Sequence, residues 1–365
     1  MFYSRFFSVS RRALLTVLLA VGCVALAPIA EAATAKQKVA QQKKKQVQAK
    51  KSTKVAKAVK KRVDKAGAQK VVARRTQRSG KTVAVAAAAS APAVLSVGEQ
   101  LGLRKVDDPL NLNSSAVLVI DQSTHEILLG KNDTAVLPIA SLTKLMTGLL
   151  ISEAHLPMDE IITIESADVD RLKNSGSRLA VGSRLSRAEA MHLALMSSEN
   201  RAAHALGRTY PGGVQAFVRR MNERAVELGM TDTRFVDPTG LSSDNRSSAR
   251  DLAALATVAY ERPMLRDLST SPSYQVASGR GVLQYRNSNR LVHDDNWNIG
   301  LQKTGYIREA GRCLVMQVSV AGRQLIMVLL DAAGPAARIG DAERLRRWAE
   351  SALFSQGLLV DGGRS

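Results

Sequence analysis

A serine and a lysine stand one helical turn apart at the head of an apolar run that continues to Ile151. They are Ser141 and Lys144, within the segment from Pro138 to Thr147. A spacing of three residues puts both side chains on one face of a helix. A lysine removed from water loses its proton more readily, and a neutral amine can accept the proton of a serine hydroxyl. The pair is a candidate nucleophile and base, although one S-x-x-K match also arises by chance in 365 residues.

The positive charge of the chain is concentrated in one segment. The formal net charge is +20, and residues 36–81 carry 18 Lys and Arg against one acidic residue. Residues 82–365 carry 31 basic and 30 acidic residues, so this part is nearly neutral. The net positive charge therefore belongs to one segment, and it does not indicate that the folded part binds nucleic acid.

The N-terminus has the pattern of a secretory signal peptide. Arg5, Arg11 and Arg12 precede the apolar run 13–27, and a small-x-small cleavage sequence ends at Ala32. The apolar run is short for a membrane span. We expect export to the periplasm, with retention of an uncleaved signal as a membrane anchor left as the alternative.

The segment after the signal peptide is rich in Lys, Ala, Gln and Val and contains no aromatic residue. Such a composition cannot bury enough apolar area to offset the entropy of ordering. We expect a basic disordered linker over 33–95, which acts as a spacer or binds an anionic envelope polymer or lipid head groups. Export argues against nucleic acid as its partner. The predicted domains are thus a signal peptide (1–32), this linker and a folded domain (96–365).

The folded domain is predicted to be α+β. Its first part contains two strand-like runs, its middle part has helical periodicity, and its last part has further strand-like runs and an amphipathic helix. The strand-like runs are 116–120, 126–129, 274–277, 283–285, 313–320 and 324–330. Helical periodicity covers 186–270, and the amphipathic helix is 341–354. This order predicts an antiparallel sheet flanked by helices, with an inserted all-helical subdomain.

A second motif, S-x-N, follows an apolar helical run at residues 198–200. In a purely structural interpretation, Ser197 or Ser198 caps the next helix. In a functional interpretation, Ser198 relays a proton from Lys144 to a leaving nitrogen, and Asn200 holds the lysine and a substrate by hydrogen bonds. Another S-x-N begins at Ser243, but it lies in a turn-like polar run, and we rank Ser198 above it.

A third motif is Lys303-Thr304-Gly305. On a strand, Lys303 and Gly305 face the same side, because the side-chain period is two. Gly305 leaves room for a substrate backbone, and Lys303 supplies a positive charge for a carboxylate. A peptide substrate laid along this edge would add to the sheet as an extra strand.

The motifs S-x-x-K, S-x-N and K-T-G, in this order, form a catalytic set of β-lactamases and penicillin-binding proteins. Over about 110–355 the chain resembles the D-alanyl-D-alanine endopeptidases, which are low-molecular-mass penicillin-binding proteins of the penicillin-binding protein 7 type. The segments that carry this resemblance are 138–147, 194–203, 210–213, 233–236 and 295–299. Related carboxypeptidases often carry a second β-domain and an amphipathic C-terminal anchor, and we expect neither here.

The resemblance implies a β-lactamase/transpeptidase-like fold and an acyl-enzyme mechanism. Ser141 would attack the carbonyl of a D-alanyl cross-link in peptidoglycan, Lys144 would accept the proton, and Ser198 would complete the relay. The backbone N–H groups of Ser141 and Tyr306 would form the oxyanion hole. The implied substrate-binding residues are Asn200, Lys303, Thr304 and Gly305. β-Lactams would acylate Ser141 as covalent inhibitors.

Three other functions stay open at this point. A D-alanyl-D-alanine carboxypeptidase would use the same residues. A β-lactamase would need a group that activates the deacylating water, and no stretch clearly offers one. A non-catalytic wall-binding protein would act through its basic arm, but the complete trio of motifs argues against that function.

Metal and cofactor chemistry finds no support in the motifs. None of the five histidines stands at metal-ligand spacing from another, and no phosphate-binding glycine pattern is present. We therefore predict neither a metal nor a cofactor. Cys313 lies in an apolar run and is expected to be a buried structural residue.

Overall fold

The computed structural model of the chain describes residues 94–278 and 281–361. The predicted signal peptide (1–32) and all but the end of the predicted linker (33–95) lie outside these residues. Both therefore stay predictions. Everything described below belongs to the predicted folded domain and the two residues before it.

The helices and strands of the described residues follow in chain order. The α-helices are α1 (Val97–Gln100), α2 (Thr143–Glu153), α3 (Arg187–Met196), α4 (Asn200–Arg208), α5 (Gly213–Glu227), α6 (Ala249–Tyr260), α7 (Pro263–Thr270) and α8 (Pro335–Asp361). The strands are β1 (Ser114–Asp121), β2 (Ile127–Lys131), β3 (Leu137–Pro138), β4 (Ile161–Thr163), β5 (Arg184–Ser186), β6 (Arg246–Ser247), β7 (Ser273–Ser278), β8 (Gly281–Arg286), β9 (Asn298–Ile307), β10 (Gly311–Val320) and β11 (Arg323–Ala332). Short 3-10 turns occupy Leu103–Lys105, Ala140–Leu142, Ser166–Asp168 and Arg290–His293.

The main sheet has five antiparallel strands in the order β2-β1-β11-β10-β9. Its central strands carry apolar residues on both faces and are buried almost throughout. Strands of this kind need cover on both sides of the sheet, because each face presents apolar side chains. β9 is one of the two outer strands, so its far edge is free of a sheet partner among the described strands.

Two apolar cores cover the two faces of the sheet. Leu118, Val315 and Ile326 point into the larger core, which also contains the buried sides of α2 to α7. Their neighbours Val119 and Met327 point into the smaller core beneath α8. Alternate residues of one strand thus face different cores. Helices α2 to α7, with the short strand pairs β3–β6 and β4–β5, correspond to the predicted inserted subdomain.

The predicted α+β architecture is confirmed, and α3 and α6 both fall within the region 186–270 for which helical periodicity was predicted. The last helix begins at Pro335 and not at 341, because proline is well suited to the first helical position, where no N–H is needed. β9 runs for ten residues, whereas the sequence predicted a strand only at the K-T-G motif itself. The polar and glycine residues at its start hid the strand pattern.

Cys313 is buried without a disulfide, and burial raises the pKa of its thiol to about 12. Within the described ranges, no helix combines the length and the apolar character needed to cross a membrane.

Candidate active site

Ser141 lies at the point where a short extended segment becomes a deeply buried helix. It belongs to the 3-10 turn Ala140–Leu142, which runs directly into α2. Ala140 has a φ of +48°, a left-handed conformation that costs free energy for any residue with a Cβ. Ser141 itself is partly exposed, whereas residues 142–151 are buried. The turn therefore presents one hydroxyl at the end of a rigid helix.

Lys144 lies fully buried behind Ser141, and its amine contacts three oxygens. Lys144 Nζ is 2.8 Å from Ser141 Oγ, 2.8 Å from Asn200 Oδ1 and 2.6 Å from the Thr239 carbonyl oxygen. The last two oxygens can only accept hydrogen bonds. A neutral amine has two N–H donors for them and one lone pair left. That lone pair can accept the proton of the Ser141 hydroxyl.

The environment of Lys144 favours this neutral form. Burial lowers the pKa of Lys144 to about 7, because the ammonium form loses its hydration, while the negative charges of Asp237 and Glu199 act in the opposite direction. The amine can thus exchange protons near neutral pH. The sequence spacing predicted the contact with Ser141, but it did not predict how complete the burial is.

The Thr239 carbonyl oxygen is held in place by the carboxylate of Asp237. Asp237 Oδ1 accepts hydrogen bonds from the backbone N–H groups of Thr239 (2.6 Å) and Gly240 (2.8 Å). Asn245 is buried and binds the same loop, donating from Nδ2 to Asp237 Oδ2 at 3.0 Å. The competing S-x-N motif that begins at Ser243 therefore has a structural role here, through its asparagine.

Two glycines let separate chain segments reach the backbone of the Ser141 turn. Gly240 has a φ of +80°, and a Cβ there would overlap the Ala140 carbonyl and lie 2.9 Å from Ser141 N. A Cβ at Gly305 would lie 2.9 Å from the Ile139 carbonyl oxygen and 3.2 Å from Ser141 N. Gly305 thus brings β9 directly beside Ser141. An oxyanion hole shared between Ser141 and the residue after Gly305 stays a prediction.

The S-x-N residues lie in the connection between α3 and α4. Asn200 bridges the site, since its Oδ1 accepts from Lys144 and its Nδ2 donates to Ser175 Oγ at 2.9 Å. Ser198 is partly exposed and has a left-handed φ of +62°, and its hydroxyl makes no hydrogen bond in the described part of the chain. The direct link from Ser198 to Lys144 or Ser141 therefore stays a prediction. Neither Ser197 nor Ser198 caps α4, because Glu199 is its N-cap residue.

Lys303 is fully buried and donates to the Thr304 carbonyl oxygen at 2.9 Å. Burial, with the positive charges of Lys144 and Arg338 nearby, holds the pKa of Lys303 well below its usual value. A bound carboxylate would offset that cost and favour the ammonium form. The Thr304 hydroxyl lies 2.7 Å from Ser288 Oγ, and the sequence interpretation gave Ser288 no role.

A cleft of about 460 Å³ opens at Ser141. Asn200, Ser175 and Tyr306 line it together with Ser141, so the polar groups converge on the exposed hydroxyl. An ion pair of 2.6 Å between Lys173 Nζ and Glu309 Oε1 joins two of its lining residues. In the described part of the chain, no group of acidic, histidine or cysteine side chains could hold a metal ion.

The sequence interpretation missed the contributions of Asp237, Thr239 and Ser288. The turn signal of Asp-Pro-Thr-Gly at 237–240 was visible, but nothing in the sequence shows that this turn touches Lys144. Ser288 lies in a polar run 16 residues before Thr304, and nothing in the sequence shows that the two hydroxyls meet in the folded chain. Of the site residues predicted from the motifs, Ser141, Asn200 and Tyr306 line the cleft, and Lys144 and Gly305 lie against Ser141. The roles of Ser198, Lys303 and Thr304 stay predictions.

Comparisons with known proteins agree with this geometry. The family described as D-alanyl-D-alanine carboxypeptidase matches residues 104–334. The chain is 46% identical over 242 residues to the D-alanyl-D-alanine endopeptidase of Pseudomonas aeruginosa, covering 66% of this chain and 78% of that protein. It is 41% identical over 240 residues to the D-alanyl-D-alanine endopeptidase of Escherichia coli K12, covering 65% and 77%. The crystal structure of the Streptomyces K15 DD-transpeptidase has a TM-score of 0.62 and 24% identity, and it covers 67% of this chain and all of that chain, which shows a shared fold.

Proposed function

Because this chain belongs to the family of D-alanyl-D-alanine carboxypeptidases, we propose that it is a serine DD-endopeptidase that cuts D-alanyl cross-links in peptidoglycan. The relatives with the highest identity reported above are named endopeptidases, and this favours a cross-link over a terminal D-alanine as the bond cleaved. The observation that carries the catalytic assignment is the buried Lys144 amine, 2.8 Å from Ser141 Oγ with a pKa of about 7.

The proposed mechanism begins with attack of Ser141 Oγ on the D-alanyl carbonyl carbon. The hydroxyl proton passes to the neutral Lys144 amine as the new C–O bond forms. Negative charge on the carbonyl oxygen is stabilised by the backbone N–H groups of Ser141 and Tyr306. Gly305 supports this part of the proposal, because it lets the strand before Tyr306 lie against the Ser141 backbone.

Collapse of the intermediate breaks the C–N bond and releases the amine of the neighbouring peptide. In this scheme the proton returns from Lys144 to the leaving nitrogen, and the partly exposed hydroxyl of Ser198 carries it across. Lys303, together with Thr304, pairs with a carboxylate next to the scissile bond. Water then hydrolyses the acyl-enzyme, which restores Ser141.

Incubation of the purified protein with cross-linked muropeptide dimers and with pentapeptide monomers tests this function. We expect conversion of dimers to monomers, and its loss in Ser141→Ala together with loss of labelling by fluorescent penicillin. Intact dimers with trimmed pentapeptides would identify a carboxypeptidase. Rapid release of hydrolysed penicillin from Ser141 would instead identify a β-lactamase.

We also propose that the protein acts in the periplasm. The support is the signal-peptide pattern at the N-terminus and the presence of peptidoglycan, the proposed substrate, outside the cytoplasm. We propose further that the basic residues 36–81 hold the enzyme to an anionic envelope polymer or to lipid head groups. Fractionation of cells that produce the full chain tests the first proposal, since recovery of the protein in the cytoplasm would contradict it.

A further inference from the structure

A second cleft, which we call the Arg178 cleft, lies on the other side of the S-x-N residues from the first. Its volume is about 700 Å³. Its lining residues are Gly176, Ser177, Arg178, Ser197, Glu199, Gln284, Tyr285, Arg286 and Ser288. Loop 174–178 contributes to both clefts, because Ser175 lines the first and Arg178 the second.

The position of the Arg178 cleft relative to the scissile bond follows from β9. Ser288 lines the Arg178 cleft and contacts Thr304, whereas Tyr306 lines the cleft at Ser141. Gly305, between them, lies against the Ser141 backbone. A peptide extended along this edge therefore crosses from one cleft to the other with its reacting carbonyl beside Ser141.

The peptide that leaves after cleavage of the cross-link lies on the Thr304 side of Ser141 in this arrangement. Ser197 and Glu199, the two neighbours of Ser198, both line the Arg178 cleft. In the proposed mechanism Ser198 hands the proton to the leaving nitrogen, so the leaving peptide must extend into the cleft that adjoins it. This step rests on the proposed function.

The chemistry of the Arg178 cleft suits a peptide with carboxylates. Arg178 is exposed, its guanidinium lies 3.9 Å from the ring centroid of Tyr285, and it donates to the Gln284 carbonyl oxygen at 2.7 Å. These contacts orient the guanidinium while leaving further N–H groups for a ligand. Arg286 is also exposed, and it lies on β8, the strand that carries Gln284 and Tyr285. The oriented Arg178 and the exposed Arg286 outnumber the one acidic lining residue, Glu199, and favour recognition of carboxylates.

The hydroxyl of Tyr285 is a second, independent sign of a ligand. Tyr285 is only 2% exposed and lines the cleft, yet its hydroxyl has no hydrogen-bond partner among the described residues. An unpartnered buried hydroxyl is costly, and proteins retain few of them. A polar ligand that enters the cleft and displaces the side chains enclosing this hydroxyl would supply the missing partner.

We propose that the Arg178 cleft binds the peptide strand released when a cross-link is cut, with Arg178 and Arg286 pairing with its carboxylates and Tyr285 donating a hydrogen bond to it. Cleavage of a terminal D-alanine releases only one small residue, whose carboxylate pairs with Lys303 and Thr304 in the proposed mechanism, so it need not extend along the Arg178 cleft. The Arg178 cleft therefore sets the preference for cross-links over pentapeptides. It is a specificity site and takes no part in forming the acyl-enzyme.

Steady-state kinetics on muropeptide dimers test this assignment in the full chain. Arg178→Gln is expected to lower kcat/KM for dimers by about 10- to 100-fold, mainly through KM, because a charge-assisted hydrogen bond is lost. Arg286→Gln and Tyr285→Phe should lower it less, and Arg178→Lys should recover part of the loss. The matched control is Arg219→Gln, an exposed arginine on α5 that lines neither cleft.

The rate of acylation by fluorescent penicillin separates a specificity role from damage to the fold. This rate should stay within about twofold of the wild-type rate in every cleft variant, because penicillin has no second peptide strand. Unchanged dimer cleavage in Arg178→Gln, or a parallel loss of dimer cleavage and penicillin acylation, would overturn the assignment.

Binding of the released tetrapeptide monomer to Ser141→Ala, measured by calorimetry, separates this inference from the proposed function. The added Arg178→Gln change should weaken that binding by a similar factor, and equal affinities would overturn the inference. If the wild-type protein cuts no dimers, the endopeptidase function fails, and the binding comparison alone then decides whether the cleft recognises the strand.

Discussion

Lys144 is the residue whose surroundings most directly determine the chemistry of the site. Its contact with Ser141 follows from a spacing of one helical turn and could be predicted from the sequence. Its contact with the Thr239 carbonyl oxygen could not, because the two residues are 95 positions apart and depend on the loop at Asp237. The depressed pKa is a property of that complete enclosure, and a local motif contains no information about it.

The rate of acylation should depend on pH through Lys144. The neutral amine is the active form, and protonation below a pKa of about 7 removes it. We expect the rate of acylation by penicillin to rise roughly tenfold per pH unit well below pH 7 and to level off above it. Stopped-flow labelling over this range measures the profile, and a flat profile would contradict the assignment of Lys144 as the base.

Replacement of Lys144 by arginine provides the matching test. An arginine keeps its proton throughout this pH range, so Lys144→Arg retains a cation but cannot act as a base. Acylation should fall by roughly 10²- to 10⁴-fold and lose its pH dependence. Near-normal acylation in this variant would show that another group accepts the serine proton.

At the scale of elements, the site is assembled from pieces that the sequence predicts separately. The helix after Ser141, the hairpin of β1 and β2 and the strands β10 and β11 follow from apolar periodicity. Their meeting point does not, since Gly240 and Gly305 approach Ser141 from distant parts of the chain. The length of β9 was also underestimated, because Gly300 and the polar residues around it interrupt the strand pattern.

Replacement of Gly240 by alanine should destabilise the turn that carries Ser141. The new methyl group would meet the Ala140 carbonyl and would also be forced into a φ of +80°. The matched control is Gly322→Ala, which has the same φ of +80° and no atom within 4 Å of the new Cβ. The two variants should differ by roughly 1–3 kcal/mol in free energy of unfolding, which reflects the steric clash alone. Equal values in urea unfolding would show that the loop moves aside without cost.

At the scale of the whole molecule, a buried carboxylate ties the last helix to the sheet. Asp341 on α8 accepts hydrogen bonds from Ser114 N at 2.7 Å and Ser114 Oγ at 2.6 Å, at the start of β1. It also contacts Arg344. The sequence predicted an amphipathic helix here, but an acidic residue at the start of such a helix is usually exposed to solvent. The pattern therefore did not predict that Asp341 is buried.

Asp341→Ala should therefore destabilise the domain by about 2–4 kcal/mol, because it leaves the buried Ser114 N–H and hydroxyl without an acceptor. Glu343→Ala, at an exposed position of the same helix, should change stability by less than about 0.5 kcal/mol. Urea unfolding of both variants measures the difference. Similar midpoints would mean that water replaces the Asp341 carboxylate.

Deletion of residues 36–81 should separate attachment from catalysis. Turnover of soluble muropeptides should be unchanged, while binding of the protein to whole sacculi should weaken. The difference should shrink as salt is added, because screening reduces electrostatic attraction. A cosedimentation assay at two ionic strengths measures this, and equal binding of both forms would reduce the segment to a spacer.

The left-handed Ala140, packed against a glycine some hundred positions later in the chain, makes two stretches of sequence inseparable. Transfer of residues 137–147 into a related protein without residues 237–245 would therefore separate two segments that are shaped to pack against each other. Chimeras with their crossover between these stretches should misplace the serine even though every motif letter is intact, whereas exchanges outside both stretches should be tolerated.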